Sequence, residues 1–315
     1  MARYVLRRVG LALITLFILS VVVFVVASVL PGSVGRAILG PFADQQSVDQ
    51  LNKDLGQDGS LISRYLRWAG NALTGDFGDS FKYRRPVMDF VPTALWASVK
   101  LALMTIVIVV PLGILGGVVA ALRQGKAADR FLTIAGLSLA VTPEFVDGIV
   151  LILVFAVNLG WLPAGGSAKG SLWEQFQVLL LPSLTLTAIL FGYLSRMARA
   201  GTIEALNADY TRTATLKGLK RRTVLRRHVL RNSLLPTIAV IASQMAYLLG
   251  GLLVTETLFN YRGLGLLIFE AAGDRDIPML MGAVFIVGAL AMLMTLLADV
   301  LIAWLNPRVR LGSKA

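Results

Sequence analysis

The run VGLALITLFILSVVVFVVASVL, residues 9–30, contains no charged side chain. A helix needs about 20 mainly apolar residues to cross the roughly 30 Å hydrocarbon core of a bilayer, so this run predicts a transmembrane helix. Arg3, Arg7 and Arg8 precede it, as basic residues precede the core of a signal peptide. The apolar run is longer than such a core, and we therefore interpret it as a retained first helix.

Apolar runs recur along the rest of the chain. They occupy residues 101–122, 131–162, 176–194, 234–255 and 279–298. The chain is 56% hydrophobic and only 15% charged, whereas soluble domains have about 45–50% apolar and about 25% charged residues. These runs predict an all-α polytopic membrane protein with six transmembrane helices and no large soluble domain.

The distribution of basic residues predicts the orientation of the chain in the membrane. The N-terminus, residues 123–130, residues 196–231 and the C-terminus carry 19 of the 30 Lys and Arg residues. The alternate loops, residues 31–92, the connection around Lys169 and residues 256–277, have mixed or acidic charge. Because cytoplasmic loops are enriched in Lys and Arg, both termini are predicted to be cytoplasmic. The same loops explain the formal charge of +12 better than nucleic-acid binding does.

The composition also restricts the chemistry of the chain. It has no cysteine and one histidine, which excludes disulfides and thiolate metal sites and leaves little for metal or triad chemistry. It has no G-x-x-x-x-G-K-[ST] sequence for binding nucleotide phosphates. We therefore predict no catalytic residue, no metal site and no cofactor in this chain.

The first outer loop contains an amphipathic segment. Leu61, Tyr65 and Trp68 follow one another at helical spacing within residues 60–73, and residues 75–80 read as a turn. This segment is either a cap on the outer membrane surface or a docking surface for an extracytoplasmic partner, and the two interpretations are compatible.

Four polar residues within the apolar runs are candidates for lining a solute path. Glu144 and Asp147 follow Pro143, and Asn158 and Gln244 are the other two. A carboxylate at mid-membrane costs about 2.5–3.5 kcal/mol on insertion scales, so it should face the bundle interior or water. We consider that the carboxylates line a solute path or lie near the interface. Asn158 and Gln244 either line that path or form hydrogen bonds between helices.

Small residues interrupt the second apolar run. Gly113, Gly116 and Gly117 follow Pro111. Small residues let helix backbones approach closely, so this cluster predicts tight packing against a neighbouring helix, with a hinge as the alternative.

The basic cytoplasmic segment at residues 196–236 predicts two short helices. Asn207 could cap the first, which would end at Gly218, and the second could start at Thr223 before Pro236 opens the next span. Its inward stripe would consist of Val224, Leu225, His228 and Val229. Such a loop could rest on anionic lipid, bind nucleic acid or dock a cytoplasmic protein.

The order of residues in this segment resembles the EAA loop of binding-protein-dependent ABC importers, in the form found in dipeptide, oligopeptide and nickel permeases of the oligopeptide permease B type. The matching residues are Glu204-Ala205-Leu206, Asp209-Tyr210, Arg212-Thr213-Ala214, Lys217-Gly218-Leu219, Val224, His228, Asn232 and Pro236. The resemblance covers nearly the whole chain, and further matches are Leu30-Pro31-Gly32, Arg64-Tyr65, Gly75-Asp76, Asp129-Arg130, Leu162-Pro163, Glu256-Thr257-Leu258-Phe259, Gly263-Leu264-Gly265, Arg275-Asp276 and Pro307-Arg308-Val309-Arg310. The chain departs from the pattern at Leu206, which replaces an alanine, and at Arg262, which replaces a proline.

The resemblance implies a type I ABC importer transmembrane domain in the bacterial inner membrane, transporting peptides or related small solutes. The implied partners are a second homologous permease, two cytoplasmic subunits that bind ATP and Mg, and an extracytoplasmic solute-binding protein, all at the lipid bilayer and without nucleic acid. The implied division is a first helix with an outer cap at 1–93, a transmembrane core at 94–305 that includes the coupling loop 196–236, and a cytoplasmic tail at 306–315.

The resemblance also implies which residues couple the chain to an ATPase. They are Glu204, Ala205, Leu206, Asp209, Tyr210, Arg212, Ala214, Leu216, Lys217 and Gly218. We expect Glu204 to make charged contacts, and Ala205, Leu206, Ala214 and Leu216 to supply the contact buried by the partner. Gly218 would form the tight turn, while Asp209 and Tyr210 would hold the shape of the loop.

The main alternative is an ion-coupled secondary transporter that uses Glu144, Asp147 or Glu256 as carriers. Such carriers commonly have internal repeats with paired broken helices, and the sequence shows no clear repeat.

Overall fold

A computed structural model describes residues 2–29, 36, 39–40, 42–54 and 60–305, and most of these residues are helical. The motif Leu30-Pro31-Gly32 and the tail 306–315, with Pro307-Arg308-Val309-Arg310, lie outside the described residues.

The helices follow one another along the chain with short connections. They are α1 (Ala2–Val29), α2 (Gln45–Asp54), α3 (Leu61–Leu73), α4 (Val91–Leu122), α5 (Ala127–Val141), α6 (Glu144–Leu151), α7 (Leu172–Asn207), α8 (Asp209–Leu216), α9 (Arg221–Thr223), α10 (Leu230–Gly251), α11 (Leu253–Leu258), α12 (Leu264–Gly273) and α13 (Ile277–Leu305). A 3₁₀ turn, Val87–Asp89, precedes α4, and π-helical segments Ile152–Asn158 and Val224–Val229 follow α6 and α9.

Four of these helices, α1, α4, α7 and α13, are long and apolar enough to cross a membrane. The predicted crossing at 131–162 is not one straight helix, because α5 and the helix Glu144–Asn158 meet at an angle of 107°. Counting that pair once gives five crossings by length and composition among the described residues. The predicted crossing at 234–255 falls on α10, whose apolar part is the shorter stretch Pro236–Met245.

The central helix is α7. In its most apolar 18-residue window 61% of the residues are buried, against 11% in α1, so the other helices surround α7 and α1 lies at the edge. Helix α7 starts at a capping box in which Ser171 and Glu174 each bind the other's backbone N–H. The helix continues to Asn207, well beyond the predicted end at Leu194.

Glycines let α4 pack directly on α7. A Cβ at Gly117 would overlap the carbonyl oxygen of Ser195 and lie 2.6 Å from the Cβ of Ala198, and one at Gly113 would lie 2.6 Å from the Cβ of Leu194. The predicted close packing is therefore confirmed. The helix itself continues through Pro111.

An aromatic cluster attaches the outer cap to the bundle. Ser60 caps the start of helix α3, and its hydroxyl accepts the N–H of Ser63. Tyr65 and Trp68 of α3 pack against Phe24 of α1, and Trp68 also packs against Phe285 of α13. This confirms the predicted amphipathic helix, although Leu61 remains 56% exposed. The predicted turn follows, with φ of +84° at Gly75 and +82° at Gly78.

Two buried carboxylates hold the outer segments together. Glu256 of α11 accepts hydrogen bonds from the Ser98 hydroxyl and from the N–H groups of Gly265 (2.7 Å) and Leu266 (3.1 Å). Asp276 accepts the Ser80 hydroxyl and the N–H groups of Phe81 (3.1 Å) and Met279 (3.3 Å). Since buried carboxylates require such partners, these bonds determine how α4, α12 and the start of α13 lie relative to one another.

Candidate functional site

The cytoplasmic site is built around the short helix α8. A single extended residue, Ala208 (φ −73°, ψ 148°), separates α8 from the end of α7. The predicted cap was wrong by one position: Asn207 is the last residue of α7, and Ala208 occupies the cap position without a side-chain hydrogen bond. The sharp change of direction at Ala208 allows α8 to fold back beside α7.

A small apolar core holds α8 in place. Ala205, Ala214, Val224 and Val229 are buried together, with Leu206 and Leu225 packed against them. The expectation that Ala205 and Ala214 contact a partner protein was therefore wrong, because their side chains face the interior of this chain. Leu206 is half-buried against the same core.

Thr211 adds a hydrogen bond that the sequence analysis did not single out. Its hydroxyl donates to the carbonyl oxygen of Ala205 at 2.6 Å, which ties the first turn of α8 to the last turn of α7. Asp209 and Tyr210, which were expected to hold the loop's shape, are both exposed, so this role falls to Thr211 and the apolar core. The available signal was a threonine three residues before Ala214, on the same helix face, since Thr side chains often bind nearby carbonyls.

Gly218 ends α8 as predicted. It has φ of +76°, and its N–H donates to Thr215 O at 3.0 Å while that of Leu219 donates to Ala214 O at 3.4 Å. A Cβ at Gly218 would meet no atom within 4 Å. The position therefore favours glycine because of its backbone conformation and not because space is lacking.

The second helix of the loop is the beginning of the next long helix. It starts at Arg221, two residues before the predicted Thr223, and continues through a π-helical segment into α10, so Pro236 lies inside a helix instead of opening one. The predicted stripe is confirmed, since Val224 and Val229 are buried while Arg226 and Arg227 are less buried on the other side of the helix.

The outward side of this unit forms what we call the α8 surface. It consists of the exposed residues Glu204, Asp209, Tyr210, Arg212, Leu216, Lys217, Gly218 and Leu219. Leu216 is 80% exposed and Tyr210 is 42% exposed. The surface thus combines a protruding apolar side chain with charges of both signs.

Two contacts anchor the base of this unit to the membrane helices. Arg199 of α7 donates to both carboxylate oxygens of Asp129 on α5, at 2.7 and 2.9 Å, and the N–H of Gly125 donates to Asp129 at 2.9 Å. A Cβ at Gly201 would overlap the carbonyl oxygen of Ser233, so α7 and α10 are in backbone contact there. These contacts join α7, at the base of the unit, to α5 and α10.

The four polar residues predicted within the membrane lie on α6, on the π-helical segment that follows it and on α10. Glu144 and Asp147 occupy the first turn of α6, which begins after Pro143; Glu144 accepts a hydrogen bond from Thr255, and Oδ2 of Asp147 is buried without a partner within the described residues. Asn158 is exposed and Gln244 is half-buried. Within the described part of this chain neither of these two amides forms a hydrogen bond to another helix, so both interpretations of them stay predictions.

Among the described residues, no group of three or more His, Asp or Glu side chains could hold a metal ion.

Comparison with known proteins identifies the family. Residues 113–311 match the family of the binding-protein-dependent transport system inner membrane component, and residues 1–102 match the N-terminal family of the same membrane component. The glutathione transport system permease protein GsiC of Escherichia coli (strain K12) is 36% identical over 310 residues, covering 98% of this chain and 99% of that protein. The GsiC protein of Shigella dysenteriae serotype 1 (strain Sd197) shows the same identity and coverage.

The fold agrees with this assignment. A crystal structure of an amino acid ABC transporter with histidines matches 70% of this chain and 94% of its own, with a TM-score of 0.50 and 15% sequence identity. At that identity the match supports the type I importer fold alone. The family match extends over more than half of the chain, and we conclude that the protein belongs to the inner membrane components of binding-protein-dependent transport systems, as a permease subunit of an ABC importer.

Proposed function

We propose that the chain forms half of a translocation path, together with a second homologous permease, above two cytoplasmic subunits that bind ATP and Mg. An extracytoplasmic protein would deliver the solute. The family membership already implies an ATPase and a solute-binding partner. The number of subunits and the contact surfaces are the parts we infer.

The observation that carries the proposal is the construction of the α8 surface. Its inner side is fixed by an apolar core and by the bond from Thr211 to Ala205, while its outer side presents Leu216 almost fully to solvent. Burial of Leu216 and of the exposed Tyr210 on the same surface would stabilise association, and tyrosine is one of the residue types enriched at protein–protein contacts. A rigid lever is also what is needed to convert ATPase closure into movement of α7 and α10.

The residues divide into two roles in this proposal. Tyr210 and Leu216 would enter the ATPase groove, and the charged side chains around them would fix the register. Those charged residues are Glu204, Asp209, Arg212 and Lys217. Ala205, Leu206, Ala214 and Gly218 would keep α8 at the correct angle.

The solute proposed is a small peptide or a related compound. Relatives that cover the full length of the chain are named as glutathione permeases, and glutathione is a tripeptide. Within the membrane, the path would be lined by Glu144, Asp147, Asn158 and Gln244. The bend before α6 supports this choice for the two carboxylates, since irregular backbone at membrane depth is found where it lines a cavity or is buried in protein.

Affinity purification of the tagged chain in mild detergent tests the proposal. We expect the wild type to bring a second permease and ATPase subunits with it, and Gly218→Asp and Leu216→Asp to lose the ATPases while keeping the permease. Gly75→Asp is the matched control, because Gly75 also has positive φ and open space but lies in the outer loop. A wild-type chain that purifies alone would contradict the proposal.

A transport assay distinguishes this function from ion-coupled transport. When the membrane potential is abolished while ATP is kept, an ABC importer should continue to transport. A secondary carrier should stop.

A further inference from the structure

A cavity of about 580 Å³ opens among segments that the charge pattern places outside the membrane. Its walls come from three separate parts of the chain, residues 82–100, residues 167–169 and residues 261–270. These parts belong to or adjoin the three predicted outer loops. Cavities that bind small molecules commonly have volumes of about 300–1,000 Å³. The volume of this cavity lies within that range.

The walls are held together by contacts within the chain. The Tyr261 hydroxyl donates to the carbonyl oxygen of Ala97 at 2.9 Å, and the Lys100 ammonium donates to Gln175 Oε1 at 2.8 Å and to Ala168 O at 3.4 Å. Buried Glu256 binds both Ser98 and the start of α12. The cavity is therefore preformed, which lowers the cost of ordering groups when a ligand binds.

The lining of the cavity includes four aromatic side chains. The rings of Tyr83 and Phe90 lie 4.8 Å apart between centroids, Tyr261 is fully buried, and Trp96 is 59% exposed. Rings of this kind supply apolar contact area that needs little ordering. They suit an apolar or aromatic group on the ligand.

The charges on the lining are unbalanced in favour of cations. Lys82 is neutralised by Asp274 at 2.6 Å, a bond that raises the pKa of its ammonium, and Asp89 is neutralised by Arg85 at 2.8 Å. The remaining cations of the lining are Lys100, Lys169 and Arg262, and the remaining acid is Glu270. Among the described residues, none of these four side chains forms an ion pair.

We propose that this cavity receives the carboxylate end of an incoming solute, with the cations binding the carboxylate and the exposed aromatic side chains contacting an apolar group. The inference rests on the proposed function, because it concerns the solute of that same importer. Lys100 is held in the wall by its bonds, whereas Lys169 and Arg262 are exposed and can adjust to the ligand.

A pair of probes that differ only in one charge tests the proposal directly. N-acetylphenylalanine and its C-terminal amide have nearly the same shape and differ in the carboxylate charge. Their binding would be measured by equilibrium dialysis on the full-length chain, with the subunits it retains, in nanodiscs of zwitterionic lipid. We expect the acid to bind about tenfold more tightly than the amide, since hydrogen bonds to charged groups are stronger than neutral ones.

Two variants test which cations cause the tighter binding of the acid. The double variant Lys169→Gln/Arg262→Gln should bind acid and amide equally, and Lys53→Gln should keep the wild-type preference, because Lys53 is an exposed cation of the outer loop that does not line the cavity. Equal binding of the two probes to the wild type overturns the proposal, as does a preference that survives in the double variant or is lost in Lys53→Gln.

A salt titration of the wild type keeps the test valid if the double variant is unstable. Raising the salt from about 0.05 M to about 0.5 M should weaken binding of the acid several-fold and leave the amide unchanged, because exposed charges are screened. A salt-independent preference contradicts the proposal. Binding needs no ATP, so a chain that recruits its ATPases but does not prefer the acid refutes only this inference.

Discussion

Gly218 combines a left-handed backbone with open space around the missing side chain, and this combination makes its role testable. A non-glycine residue at φ of +76° costs about 1 kcal/mol, less for Asn and more for a β-branched residue. We therefore expect coupled ATP hydrolysis to fall in the order Gly, Asn, Ala, Val at this position, because strain is relieved by displacing α8. The measurement is solute-stimulated ATPase activity of the reconstituted importer.

The same series at Gly75 is the control for Gly218. Gly75 has φ of +84°, and a Cβ added there would meet no atom within 4 Å, but the residue lies on the outer cap. Its variants should leave the basal ATPase rate unchanged. If Gly218→Val couples as well as wild type, the rigid-lever explanation is wrong.

The ion pair between Asp129 and Arg199 should contribute more to stability than an exposed pair. Its side chains are 7% and 29% exposed, and Asp129 also accepts the N–H of Gly125. A double-mutant cycle with Asp129→Asn and Arg199→Gln should give a coupling free energy of about 1–3 kcal/mol. The cycle is measured from thermal unfolding midpoints in detergent.

Arg85 and Asp89 provide the comparison for that cycle. Their side chains are 65% and 40% exposed and lie four residues apart along the chain. Exposed pairs contribute about 0.2–1 kcal/mol. Equal coupling free energies in the two cycles would show that the Asp129 pair has no special role at the base of the cytoplasmic unit.

At the scale of elements, the close contact between α4 and α7 depends on the absence of a side chain at Gly117. A Cβ at Gly117 would meet backbone atoms of α7, which cannot rotate away as a side chain can. Gly117→Ala should therefore destabilise the protein by about 1–3 kcal/mol through overpacking. Gly70→Ala in α3 should be neutral or stabilising by about 0.5–1 kcal/mol, because nothing lies within 4 Å and alanine favours a helix. Thermal unfolding of both variants checks the difference, and a stable Gly117→Ala would mean that α4 can shift freely.

The elements also show what the sequence could predict. The apolar runs indicated the membrane helices, and the glycine spacing indicated the α4–α7 contact, since both depend on local composition. The ends of helices were less predictable: α7 extends to Asn207 because its polar last turns pack on α10 at Ser233, a contact distant in sequence. In the candidate site, Gly218 was predicted from its own conformational preference. The burial of Ala205 and Ala214 was not, because small apolar residues fit an internal core and a partner's groove equally well.

At the scale of the whole molecule, the orientation follows from charge and can be tested by labelling. The chain has no cysteine, so a single introduced thiol reports on one position. We expect Lys53→Cys to react with a membrane-impermeant maleimide in intact cells, and Gln124→Cys to react only after permeabilisation. Both positions are exposed and neither belongs to the α8 surface, so failure to react reports the side of the membrane and not burial. Labelling of Gln124→Cys in intact cells would reverse the predicted orientation.

The bend between α5 and α6 has a consequence for hydration. A helix that stops and restarts leaves amide hydrogens and carbonyl oxygens without partners in the adjoining turns, and lipid cannot supply them. The N–H of Thr142 donates to Ser138 O at 3.1 Å and Pro143 has no N–H, so among the described residues the N–H groups without a backbone partner at the bend are those of Glu144 and Phe145. We infer that water binds these two groups, and we expect their amide hydrogens to exchange for deuterium much faster than those in the middle of α13. This hydration of the bend would persist even if Glu144 and Asp147 were both replaced by Leu, because the unpaired groups belong to the backbone.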